Sequence, residues 1–297
     1  MTALALAVLA VLSGSAADDR SPAVAPPSPP WPFFALCMDT HDAKKRDLEA
    51  QAALLKELGY AGAGHLWLDG FGAGTSSVDS VKERLRTLDA AGLRLFQVYV
   101  RVDVGAAVPW APRLRDAIPL LHGRGVQLAV LMGGAKPSDE SRDARAVEVL
   151  REIAGLARPH GVKLALYPHV GEWLEKVEDA VRVARKTDRP EVGAMFNLCH
   201  WQKVSEDSKL RETLKLAKPY LFAVTINGSD LRKANDRWIL PLDQGSFDGL
   251  DLLRALREIG FEGPIGLQCY GIPGDARDHL QRSMAAWKKL REDLRPR

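Results

Sequence analysis

Cysteine is scarce in this chain, and neither sign of charge dominates. Three cysteines stand among 297 residues, Cys37, Cys199 and Cys269. An odd number, each set in an apolar run, does not make a disulfide framework; buried free thiols are the natural reading. Lys and Arg number 41 against 38 Asp and Glu, a net charge of +3 with the signs interspersed. That surplus is too small to argue for nucleic acid or a membrane surface as partner. Long apolar runs are missing as well. Residues 3–12 form the apolar core of "MTALALAVLAVLSGSAADD", too short for a stable membrane anchor.

What that first stretch does resemble is an export signal. Ser15 and Ala17 are small residues where a signal peptidase would read, with cleavage before Asp18. No Lys or Arg precedes the apolar run, a departure that a mis-assigned start codon would explain. The expectation is a chain exported to the periplasm or outside the cell, with no membrane span in its mature form. "SPAVAPPSPPWP" (21–32) follows, a Pro-rich stretch that can neither pair in a sheet nor continue a helix. The expected layout is a signal peptide (1–17), a linker (18–32) and one folded domain (33–297).

Within that domain, short β-rich runs alternate with longer amphipathic ones. The β-rich runs are 33–38, 61–68, 93–102, 126–133, 162–169, 192–199, 221–227 and 264–271. Their near-continuous apolar character suits parallel strands covered on both faces. Between them lie helical patterns such as 44–59, where Leu48, Ala52, Leu55 and Leu58 share a face, and 80–92. Glycines at 59, 92, 125, 161 and 260 stand where helices end. Eight strand–helix units over about 250 residues predict an α/β fold, a single (β/α)8 TIM barrel. A doubly wound open sheet is the competing architecture, but no GxGxxG follows the first strand.

In such a barrel the working residues stand at the C-terminal ends of the strands. Strand one ends in Asp39, His41 and Asp42, strand three in Tyr99 and Arg101, strand five in Tyr167 and His169. Strand six offers Asn197, His200 and Trp201, strand seven Thr225 and Asn227, strand eight Gln268 and Tyr270. Hydrogen-bonding groups and aromatic planes of this kind suit a sugar or sugar derivative as ligand. Carboxylates are few among them.

The C-terminal stretch "LPLDQGSFDGLDLLRALREIGFEGPIGLQCYG", with "LKELGYAGAGHL" and "GVKLALYPH" before it, is similar to the sugar phosphate isomerase and epimerase family with a xylose-isomerase-like barrel. That resemblance implies one divalent metal (Mn, Mg, Zn or Co) held by a Glu, an Asp, a His and a Glu on strands five to eight. It also implies a substrate-contacting His three residues after the Asp. Placed on this chain, the four ligand positions fall on Tyr167, Asn197, Thr225 (or Asn227) and Gln268; the substrate-contacting His falls on His200. Neutral side chains do not repay a dehydrated divalent ion as carboxylates do, and Gln268 cannot act as a base. The cofactor is therefore left open, and no residue is assigned to a metal.

The resemblance leads to an enzyme that transfers a proton next to a sugar carbonyl, with His200, His169 and Tyr167 as catalytic candidates. Asn197, Gln268, Asn227, Thr225, Tyr99, Arg101, Trp201, Tyr270, Asp39 and His41 are candidates for binding. The competing function is a non-catalytic sugar-binding protein, which needs no base. Blander readings stand beside several of these residues. Asp39 could cap the first helix, and Tyr99, Trp201 and Tyr270 could be core aromatics. Arg101 alone is weak evidence for an anion. His41, His169 and His200 could form a relocated zinc site, although strands one and five lie opposite each other. His65 reads as structural; His122, His160 and His279 read as surface.

Overall fold

The computed structural model describes residues 31–67, 77–231 and 237–295, without the side chains of 65–67. The expected signal, the linker up to residue 30 and the side chain of His65 lie outside the described residues. In chain order the elements are β1 (Phe33–Leu36), α1 (Leu48–Leu58), β2 (Gly62–Trp67), α2 (Val78–Ala91), β3 (Arg94–Asp103) and α3 (Leu114–Ala117). Then come β4 (Gln127–Gly133), α4 (Asp143–Ala157), β5 (Lys163–Leu166), α5 (Val177–Thr187), β6 (Val192–Asn197) and α6 (Leu198–Val204). The chain continues with α7 (Leu210–Ala217), β7 (Leu221–Ile226), α8 (Gly249–Glu258), β8 (Ile265–Gln268) and α9 (Ala276–Asp293). The strands pair in parallel in sequence order, and β8 closes on β1. This is the single (β/α)8 barrel expected from the sequence.

Side-chain alternation divides the core into two compartments. Phe34, Leu36, Phe96, Tyr99, Leu131, Tyr167 and Met195 fill the barrel interior. Their strand neighbours, such as Phe33, Val98, Val130, Phe196 and Ile226, pack outward under the helices. Phe34 and Phe96 stack across the interior, 4.7 Å between ring centroids and 12° from parallel. Two glycines make room for Phe34: a Cβ on Gly64 or Gly266 would lie 2.9 or 2.7 Å from its ring.

Trp31 and Pro32, the end of the expected linker, already belong to the barrel. The Trp31 indole is buried and donates to the Phe261 carbonyl at 2.6 Å, and Ile265 N donates to the Pro32 carbonyl at 3.0 Å. The first helix starts later than its pattern, because Asp47 caps it by accepting from Ala50 N at 2.8 Å. Asp39 is not that cap; its carboxylate faces Arg84 Nη2 at 3.6 Å. The three cysteines are buried and unpaired, and no helix among the described residues is long and apolar enough to cross a membrane.

Asp42 ties the loop after β1 to the start of α9. Its carboxylate takes two contacts of 2.8 Å from Arg46 Nη1 and accepts from Lys44, Arg46 and Ala276 backbone N–H groups. Burial opposes this charge, but the Arg46 guanidinium and the N–H donors outweigh it and lower the pKa to about 2. A carboxylate so depressed stabilises the fold above its unfolded pKa, and the stabilisation disappears as pH falls from about 4 to about 2. Asp42→Asn is expected to cost about 2 kcal/mol at pH 7 and to flatten the acid limb of a urea-unfolding series.

His279 corrects the surface reading. It is 5% exposed on the inner face of α9, and its Nδ1 has no partner. Burial lowers its pKa to about 4, so the fold excludes the charged form that the unfolded chain adopts below about pH 6.5. Stability is therefore lost as pH falls from about 6.5 toward 4, by up to about 3 kcal/mol. His279→Leu should remove that part of the pH dependence, read as a smaller gap between the denaturation midpoints at pH 7 and pH 5. His122 is exposed as expected and meets half-buried His160 edge-on at 5.6 Å.

Candidate active site

Strand register brings the candidate polar residues together at the barrel's C-terminal end. Asn197 pairs with Thr225 across β6 and β7, and Leu36 pairs with Gln268 across β1 and β8. Tyr167 follows β5 directly. Asn197, Thr225, Gln268 and Tyr167 are all at most 3% exposed.

Asn197 is the last residue of β6 and the N-cap of α6. Its Oδ1 accepts from His200 N at 3.2 Å, which occupies the amide oxygen with a helix N–H. Its Nδ2 donates to the Tyr167 hydroxyl at 3.3 Å. An amide nitrogen can only donate, so Tyr167 must direct its own hydrogen elsewhere. His200 Nε2 lies 3.0 Å from that hydroxyl; Tyr99 and Gln268 also hydrogen-bond Tyr167, and Gln268 Oε1 accepts from Tyr270 N at 3.2 Å. With the Tyr167 hydrogen directed to His200, Nε2 accepts it and the proton of the neutral ring stands on Nδ1. That atom is buried without a partner.

His169 lies against His200, with ring centroids 3.8 Å apart and 38° between planes. Its Nδ1 is 2.9 Å from the Val170 carbonyl and donates to it, so Nε2 carries the lone pair. Burial lowers the pKa of His169 against the opposing pull of the Val170 carbonyl and Glu172. Burial, then the neighbouring His169 and Lys203, hold His200 well below the usual imidazole value. Burial likewise pushes the Tyr167 and Tyr99 phenols well up. The cluster is therefore neutral near pH 7. His169 presents an imidazole lone pair at Nε2, on a ring 3.8 Å from that of His200.

Six of the remaining candidates separate into four groups. Tyr99 belongs with the cluster, its ring 5.2 Å from that of Tyr167. Thr225 Oγ1 and Asn227 Oδ1 are buried without partners, and Asn227 Nδ2 donates to the Gly228 and Trp238 carbonyls at 2.8 and 2.7 Å. Trp201 is not brought to the cluster: its indole donates to Thr213 Oγ1 at 3.2 Å, and its ring packs on Phe196 in the outer core. His41 and Tyr270 meet each other edge-on at 5.1 Å on the exposed β1–β8 side, where His41 Nδ1 accepts from Gly271 N at 3.2 Å.

One carboxylate at the mouth escaped the sequence reading. Glu172, in the loop after β5, binds Arg101 in a two-pronged ion pair of 2.8 and 3.0 Å. The pair lies over Gly133, where a Cβ would come within 2.2 Å of the Glu172 carboxylate. Its only sequence signal is proximity, three residues beyond His169 in "PHVGEW".

The metal that the family resemblance implies does not fit these residues. The Asn197 oxygen is already committed to a helix N–H, and Tyr167 to hydrogen bonds with neutral groups. Thr225 and Gln268 bring no charge. Among the described residues no three His, Cys, Asp or Glu side chains group as metal ligands, so the His41, His169 and His200 alternative is not assembled.

The family described as xylose isomerase-like TIM barrel matches residues 52–290. The chain belongs to that family. Solved structures share its fold at low identity. D-psicose 3-epimerase with D-tagatose from Clostridium cellulolyticum H10 is 15% identical, with a TM-score of 0.65 over 89% of this chain and 99% of the other. 3-Keto-D-glucoside 4-epimerase from E. coli is 15% identical, with a TM-score of 0.67 over 88% and 99%. A probable 3-DHS dehydratase involved in petrobactin synthesis in Bacillus anthracis is 12% identical, with a TM-score of 0.66 over 86% and 98%. No curated protein matches by sequence.

Proposed function

We propose that this xylose isomerase-like barrel acts on a sugar or sugar derivative, moving a proton next to a carbonyl without the family's carboxylate-bound metal. The observation that carries the reading is the Tyr167 hydroxyl held between Asn197 Nδ2 at 3.3 Å and His200 Nε2 at 3.0 Å. Directed from Asn197 to His200, that hydrogen-bond chain leaves a proton on His200 Nδ1, on the ring centred 3.8 Å from that of His169, whose Nε2 carries a lone pair. Removing a proton from carbon requires a base and a donor to the carbonyl oxygen on which charge develops. His169 Nε2 is the base and His200 Nδ1–H the donor. Asn197 and Tyr167 fix the tautomer; Thr225 and Gln268 orient hydroxyls. The fold neighbours include two epimerases and a dehydratase, reactions that can share a proton-abstraction step, so the net outcome depends on the substrate.

A second reading, a sugar binder without turnover, is favoured by one specific observation: Glu172, the carboxylate at the mouth, is held by Arg101 rather than left available as a base. Incubation with ketoses, aldoses and keto-glycosides in heavy water separates the two. Deuterium entering a carbon-bound position supports catalysis. Saturable binding with no exchange across the panel leaves the binder. Export from the cytoplasm belongs to the same proposal; detection of a mature form beginning at Asp18 would support it.

A further inference from the structure

The loop after β5 uses every hydrogen-bonding group of His169 but one. Its backbone N–H donates to the Leu174 carbonyl at 3.0 Å, its carbonyl accepts from Glu172 N at 3.0 Å, and its Nδ1 donates to the Val170 carbonyl at 2.9 Å. His169 to Glu172 is thus a β-turn, with Gly171 at its third position and a φ of 82° that favours glycine. Nε2 is the atom these bonds leave over. Glu172 closes the turn, and its carboxylate is gripped by Arg101 at 2.8 and 3.0 Å. Arg101 stands on β3, so the pair reaches across the end of β4 and lies against Gly133. A Cβ there would come within 2.2 Å of Glu172 Oε2 and 2.5 Å of Arg101 Nη2. The residues beyond the turn are anchored separately: Trp173 Nε1 donates to the Asp139 carbonyl at 2.8 Å, and Leu174 N to the Met132 carbonyl at 3.0 Å.

We propose that Arg101 is a positioning residue: through Glu172 it fixes the turn that holds the His169 ring against His200 with the Nε2 lone pair uncommitted. A guanidinium meeting a carboxylate by two parallel bonds fixes orientation as well as distance. The two side chains are 27% and 16% exposed, shielded enough for the pair to hold where a fully exposed one would contribute little. Without it the turn keeps its internal bond, and one such bond is weaker than the conformational entropy of the residues it orders. Proton abstraction is sensitive to the result, since a displacement of about 1 Å lowers a rate about a hundredfold. Arg101 therefore acts on the reaction through Glu172 and His169 rather than on the ligand. This rests on the assignment of His169 as base and adds the device that holds it.

A double-substitution cycle on the full chain, read by two signals, tests it. With nitrogen-15 histidine, the native protein should show His169 as a single Nδ1–H tautomer, assigned by its loss in His169→Gln. Arg101→Met, Glu172→Met and Gly133→Ala, the last displacing the pair without removing a charge, should each turn that signal into the tautomer mixture of a freely reorienting imidazole. In the heavy-water assay each should lower exchange at saturating substrate about a hundredfold with KM unchanged. The Arg101→Met/Glu172→Met double should lose no more than either single. A His169 tautomer unmoved in all three variants overturns the proposal, whether or not any sugar exchanges. Additive losses, or a raised KM in Arg101→Met, overturn it in favour of direct contact between Arg101 and the ligand. A larger loss in Glu172→Met than in Arg101→Met overturns it by making Glu172 the base. A moved tautomer with no exchange by the native chain supports the positioning and removes the proton-transfer reading.

Discussion

Replacing His200 by alanine is expected to lower deuterium exchange into carbon by about a thousandfold, the scale of a lost acid–base group, while the Tm should fall by only a few degrees. The large effect follows from the two roles of the ring. Its Nε2 contacts the Tyr167 hydroxyl, and in the proposed mechanism its Nδ1 holds the proton that meets the carbonyl oxygen. The small stability effect follows from its partners. Tyr167 keeps the Asn197 contact, and α6 keeps its cap because that bond uses the His200 backbone N–H. One unpaired hydroxyl and a modest cavity cost about 1–2 kcal/mol. His200→Gln can still accept from Tyr167 but cannot carry a proton. Loss of exchange in both variants identifies proton transfer. Recovery with Gln would show that the side chain only positions Tyr167, and unchanged exchange in the alanine variant would remove His200 from the mechanism.

The barrel was legible because parallel strands buried on both faces leave apolar runs, and eight of them alternated with helical stripes. The site was legible in part. Asn197 and His200 were found by their spacing, but the meaning of the amide was not. An Asn before a short helical run is also an N-cap signal, and resemblance to a metal ligand drew attention away from it. Trp201 illustrates how a helix start redirects side chains. Once α6 begins at Leu198, each residue turns by about 100°, and Trp201 leaves the mouth for the outer core. Glu172 lies in a loop, where no periodicity reports which way a side chain faces. His279 could have been found, since Ala276, His279, Leu280, Ser283, Met284 and Trp287 form the buried stripe of α9 at helical spacing.

Asn197→Asp tests the role of the amide directly, and its expected result is an inverted histidine rather than a metal site. The new carboxylate still caps α6 and is favoured by the helix's N-terminal N–H groups. It cannot donate to Tyr167. The phenol hydrogen therefore turns toward the carboxylate, and His200 Nε2 loses the hydrogen it accepts in the native chain. The neutral imidazole then moves its proton to Nε2 to donate to the phenol oxygen, which empties Nδ1. Nitrogen-15 NMR of the side chain should report an Nδ1–H tautomer in the native protein and an Nε2–H tautomer in the variant. Exchange into substrate should fall about a hundredfold, because the donor to the carbonyl oxygen is gone. Manganese or zinc should bind no more tightly, since Tyr167, Thr225 and Gln268 still supply no charge. An unchanged tautomer would show that the amide does not set the polarity of the chain. An inverted tautomer with undiminished exchange would show that Nδ1–H is not the donor.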